Sequence, residues 1–102
     1  MQGRRLNCHE PGCIPCEEPG DYGQDVDGNW WAKVPRPGFP TGILSDHQVT
    51  EHENGTITVS PSILMDVPGK GYRWHGYLER GEWRELSDSV YGRSAEEDTR
   101  RG

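Results

Sequence analysis

The residues of this chain whose types and spacing could do chemistry are Cys8, Cys13 and Cys16, a C-x4-C-x2-C arrangement. Thiolates are soft ligands, and Cys13-Ile14-Pro15-Cys16 has the short separation of a zinc knuckle, so the pattern suits a tetrahedral Zn2+ ion. A fourth ligand must come from elsewhere. His75 is the first choice because it lies in a segment patterned as a strand, whereas His9 is adjacent to Cys8 and awkward to combine with it; His47 and His52 are weaker candidates. A closed four-ligand set is a structural centre, since a catalytic zinc keeps one position open for water. The competing reading is a disulfide between two of the cysteines, or three free thiols.

Other chemistry is harder to find. No H-E-x-x-H or similar pairing of ligand and base is present, so a metal-dependent hydrolase with an open thiolate site is only the alternative reading. Ser60, Ser62, Asp46 and His47 contain the types needed for a nucleophile and its base. They lack a G-x-S-x-G context, and the plainer reading is hydroxyls that satisfy backbone groups at a strand end. Gly69-Lys70-Gly71 is too short for a phosphate loop. The expectation is a protein that acts by binding and is not an enzyme. Its candidate contact residues are Trp30, Trp31, Tyr77 and Trp83, since aromatic rings give large contact area at low entropic cost; the competing role for each is the core. Strand alternation sends Trp30 and Trp31 to opposite faces, so one enters the core and the other is the candidate contact.

The elements that must position these residues are short. The chain has 102 residues, of which 30% are hydrophobic, with 14 Gly and 8 Pro, so a single small core is expected and a staple such as a metal is called for. Residues 6–23 read as a loop-rich Cys knuckle. Residues 29–34 read as a strand, ended by Pro35, Pro37 and Pro40, which begin an extended connection to Gly42. Asn54-Gly55, flanked by alternation, predicts a hairpin over 48–60 with Ile57 and Val59 facing inward and Pro61 ending the strand. A second hairpin is predicted over 72–86, turning at Arg80-Gly81, with Tyr72, Trp74, Gly76 and Leu78 on one face and His75 and Tyr77 on the other. The fold class is therefore all-β: a small antiparallel sheet of two hairpins plus a zinc-stapled knuckle, one domain over 1–92, with 93–102 a flexible polar tail.

The net charge of −6 disfavours phosphate backbones and anionic lipid, so nucleic-acid and membrane partners are not expected. Single-stranded nucleic acid stacked on exposed aromatics is the remaining alternative of that kind. Arg4-Arg5 and Arg100-Arg101 are too short to reverse the charge and read as solubilising. No run approaches a membrane span or a signal peptide, and three cysteines, an odd number, agree with a reducing compartment; a cytoplasmic location is expected.

The Thr58-Val59-Ser60-Pro61-Ser62-Ile63 segment, with Trp74-His75-Gly76-Tyr77-Leu78 and Gly81-Glu82-Trp83 after it, resembles a family of small uncharacterised proteins of actinobacteriophages and bacteria. The resemblance covers roughly 55–86, preceded in both by an N-terminal cysteine cluster. It implies a metal-binding β domain encoded by a phage and leaves the role open, a virion component and a host-directed factor both being compatible. For the binding module expected from the residues, a protein partner or self-association is the expected mode of action.

Overall fold

Nine short strands and one 3-10 turn make up residues 1–91, the part of the chain that the computed structural model describes. Strands β1 (Arg4–Arg5), β2 (Asp21–Gln24), β3 (Trp30–Ala32) and β4 (Gly42–Ile43) form a sheet in that order; β1 runs parallel to β2 and the other pairs are antiparallel. Strands β5 (Gln48–Glu51), β6 (Ile57–Val67), β7 (Tyr72–Glu79) and β8 (Glu82–Glu85) form an antiparallel second sheet, and β9 (Val90–Tyr91) adds to β7. The fold is all-β, and both predicted hairpins form within the second sheet. The N-terminal part builds a sheet of its own around the single strand the sequence suggested. Among the described residues no helix is long and apolar enough to cross a membrane. The tail over 93–102 lies outside the described residues.

Turn chemistry fixes the second sheet. Arg80 and Gly81 have φ of 49° and 79°, the pair of positive values that lets a two-residue turn match the twist of its strands. Arg80 is held there by its N–H, which donates to Thr58 Oγ1 at 3.0 Å. Asn54-Gly55 lies within the β5–β6 connection, where Asn54 Oδ1 accepts from the Thr56 N–H at 3.1 Å. Pro61 does not end its strand. β6 runs on to Val67, and the register against β7 shifts between Val59 and Ile63, so the residue without an N–H falls where the ladder is interrupted.

Alternation then sorts the side chains. Ile57, Val59, Ile63, Trp74, Leu78 and Trp83 of the second sheet are buried with Tyr22, Ala32, Val34, Phe39 and Leu44 of the first part of the chain in one apolar cluster. The two sheets thus share a core, with Trp74 and Trp83 in an edge-to-face contact at its centre (5.4 Å, 86°). His75 and Tyr77 face away from it, as the alternation of β7 predicts.

The first residues are structural, not merely solubilising. Gly3 donates its N–H to Gly81 O at 2.7 Å, Trp83 N–H donates to Met1 O at 2.8 Å, and Gln2 bridges to Glu82. Arg5 donates to Glu51 Oε2 and to Gly55 O, each at 2.8 Å, and its guanidinium lies over the Trp30 ring. Arg4 and Arg5 therefore tie β1 to both sheets.

Candidate functional site

The Cys loop is organised by one buried carboxylate. Asp21, at the start of β2, is 2% exposed. Its Oδ2 accepts from the N–H groups of Glu17 (2.9 Å) and Glu18 (2.8 Å) and from Arg4 Nη2 (3.0 Å), while Oδ1 accepts from Arg4 Nε (3.2 Å). Burial alone would push this carboxyl up. The Arg4 guanidinium and the two N–H groups outweigh it and hold Asp21 below the usual carboxylate range.

Within that loop Cys8 and Cys13 are joined in a disulfide. Cys16 stands apart as a thiol whose Sγ donates to Asp21 O at 3.4 Å. Burial, then the charge of Asp21, pushes this thiol up to about 12, so it is protonated at neutral pH. His75 belongs to the other sheet, and both its ring nitrogens are engaged by Ser62 and Asp88. The four expected zinc ligands are therefore not gathered. Two thiolates are spent on a covalent bond, the third sulfur keeps its proton, and among the described residues no three His, Cys, Asp or Glu side chains form a group that could hold a metal. In this arrangement the Cys loop is closed by the Cys8–Cys13 disulfide.

The aromatic candidates separate. Trp83 is 3% exposed, meets Trp74 edge to face, and donates its indole N–H to Gly20 O at 2.9 Å; it belongs to the core. Trp30 points inward and packs against the core beneath Arg5. Trp31 takes the opposite face, in register between Gly23 and Ile43. Its indole N–H donates to Asp25 Oδ2 at 3.0 Å, which fixes the ring. That bond, with the N–H groups of Asn29 and Asp27, holds Asp25 below the usual carboxylate range. Beside Trp31 the Ile43 side chain is 44% exposed. On the other flank the Cys loop closes in: a Cβ on Gly23 would lie 1.5 Å from Leu6 O and 3.0 Å from Pro15, so only glycine fits under the loop. The outer face of the first sheet thus carries a rigid Trp31–Ile43 apolar pair bordered by Asp25 and Asp27.

The outer face of the second sheet carries the polar groups. Ser62 Oγ lies 2.9 Å from His75 Nε2, and His75 Nδ1 lies 3.0 Å from both carboxylate oxygens of Asp88. The turn that bears Asp88 is pinned by Ser89, whose Oγ accepts from the His75 N–H at 2.9 Å, and by the Leu86 N–H on His75 O at 2.8 Å. Further along the sheet an open groove of about 600 Å³ is lined by Thr50, His52, Thr58, Glu79, Arg80, Glu82 and Arg84. There Arg84 pairs with Glu79 (3.2 Å), and His52 Nε2 is hydrogen-bonded to Thr58 Oγ1 at 2.7 Å, so the groove offers few unpaired groups.

No known protein family, curated protein or solved structure matches this chain. The site must therefore be judged on its geometry. The sequence pattern grouped Ser62 with His47 and Asp46; the fold instead gives Ser62 His75 and Asp88, while His47 Nε2 meets only the Ser62 carbonyl oxygen, at 3.1 Å. The hairpin pairing that puts Leu64 opposite His75 was the available signal, but the register shift at Pro61 determines that Ser62 reaches the ring.

Proposed function

We propose that this chain is a binding module, an accessory domain whose contact surface is the Trp31–Ile43 face of the first sheet. The observation that carries the reading is Trp31 itself: a tryptophan turned away from the core, locked by Asp25 and flanked by a half-exposed isoleucine. A ring that is already immobilised loses little freedom when a partner covers it, which is how tryptophan anchors dominate protein interfaces. Asp25 and Asp27 at the border, and a net charge of −6, favour a partner segment that places basic residues around an apolar anchor. Single-stranded nucleic acid is disfavoured by the same charge and by the dispersal of the aromatics, which form no continuous stacking platform.

The test is selection of random peptides displayed against the folded protein, followed by amide chemical-shift mapping. The expected winners carry Lys or Arg beside an aromatic or aliphatic anchor, perturb the amides of β3 and β4, weaken as salt is raised, and lose at least about tenfold in affinity to Ile43→Lys. Peptides that bind Ile43→Lys as well as the parent, or that map to the second sheet, overturn the reading.

A further inference from the structure

Ser62, His75 and Asp88 have an order of contacts that the binding reading does not use. Asp88 is a carboxylate and can only accept, so the nitrogen facing it, Nδ1, carries the ring proton. Nε2 is then a bare lone pair, and the Ser62 hydroxyl must donate to it across 2.9 Å. This is the posture of a hydroxyl nucleophile resting on its base, with a third group holding the base in the required tautomer. The surroundings support a reactive role. Ser62 falls in the register-shifted stretch of β6, the kind of irregularity that re-aims side chains next to active sites. The His75 side chain is 24% exposed, shielded yet reachable. Leu64, opposite His75 and 52% exposed, and Tyr77, two residues along β7 and 39% exposed, flank the pair with apolar surface on the same face.

We propose that Ser62 is a nucleophilic hydroxyl, with His75 its general base and Asp88 positioning that base, and that it accepts an acyl group from carboxylic esters with a small apolar acyl chain. Ser62 Oγ bonds to the ester carbonyl carbon while its proton passes to His75 Nε2. The alcohol leaves with that proton, giving acyl-Ser62. Water then attacks the acyl carbon, gives a proton to Nε2, and the carboxylic acid departs as the proton returns to Oγ, so the enzyme is restored without any redox change. Asp88 touches no reacting atom; its part is to keep Nδ1 protonated and to stabilise the imidazolium that forms.

The experiment treats the full chain with a fluorophosphonate, which adds a phosphonyl group to an activated serine with loss of fluoride, and with p-nitrophenyl butyrate as ester. The expected result is a phosphonyl adduct located on Ser62 by peptide mass spectrometry, absent from Ser62→Ala and from His75→Gln. Asp88→Asn is expected to lower kcat for the ester at least about tenfold with KM and melting midpoint unchanged, the split that distinguishes positioning from mere structure. The label reads the second sheet and the peptide selection reads β3 and β4 of the first, so failure here and failure of the binding reading are distinguished. A parent chain that gains no adduct on Ser62 overturns the proposal whatever the folding of the variants. So does an adduct that forms equally fast in His75→Gln.

Discussion

Asp21→Asn is the substitution that most directly tests how the N-terminal sheet is held together. The amide keeps the size of the carboxylate but has one accepting oxygen in place of two. If that oxygen takes the place of Oδ2, it keeps the Glu17 and Glu18 N–H groups and Arg4 Nη2, all now without a charge on the acceptor, while the amide NH2 in place of Oδ1 faces Arg4 Nε and that bond is lost. Hydrogen bonds to a charged group are worth about 1.5–3 kcal/mol, against about 0.5–1.5 for neutral ones. Arg4 is more than half exposed, so water replaces much of what it loses. Weighing the weakened backbone bonds with a discounted Arg4 contribution gives a cost of about 2 kcal/mol. For a domain of this size that is a fall of roughly 8–16 °C in melting midpoint. The pH dependence carries the sharper sign. A carboxyl held below its unfolded pKa of about 3.9 contributes its stability above that pH and surrenders it as pH falls through the folded value. The parent should therefore exceed Asp21→Asn fully at pH 7, with the gap closing progressively below about pH 4. Urea melts from pH 7 to pH 2 measure this. A gap under about 0.5 kcal/mol at pH 7, or one that persists unchanged into acid, would refute the reasoning.

Two further outcomes follow from the site geometry. Denatured, unreduced protein should titrate one thiol per chain, that of Cys16, and reduction of Cys8–Cys13 should cost about 2 kcal/mol, the loop-entropy value for a separation of five residues; three titrating thiols before reduction would remove the disulfide. The same count on protein taken from its native source bears on compartment, because a disulfide is at odds with a reducing one. Trp31→Phe removes the indole donor from Asp25, so the Asp25 pKa should rise toward the usual carboxylate value; an NMR carboxylate titration that shows no rise would mean that the Asp27 and Asn29 N–H groups alone hold it down.

The second sheet was legible because its signals are local. Alternation over β7 sorted Trp74 and Leu78 from His75 and Tyr77, and Asn54-Gly55 and Arg80-Gly81 both lie in the connections they announced. The first sheet was not, because β1 and β4 are two residues each, too short to carry an alternation pattern, and exist only by pairing with β2 and β3. Pro61 reads as a stop only if the ladder is assumed regular; the register shift absorbs it. Among the aromatics, alternation separated Trp30 from Trp31. Nothing local distinguishes the buried Trp83 from the exposed Tyr77, since the face each occupies depends on which side of the hairpin the other sheet covers. The cysteine spacing admits both a knuckle and a disulfide, and the choice rests on whether a fourth ligand comes within reach. His75 does not, because it is committed to Ser62 and Asp88 on the far sheet.

The bonds that join Met1 and Gly3 to Gly81 and Trp83 also set an order of events during synthesis. Residues 1–3 are made well before the strands they pair with, and Tyr22, Ala32 and Val34 cannot be covered until Trp74, Leu78 and Trp83 emerge. At about 5–20 residues per second the N-terminal strands wait several seconds with apolar surface uncovered. Their Gly, Pro and acidic residues keep them soluble in that interval, so the low hydrophobic content of the chain also protects the nascent polypeptide before its core can close.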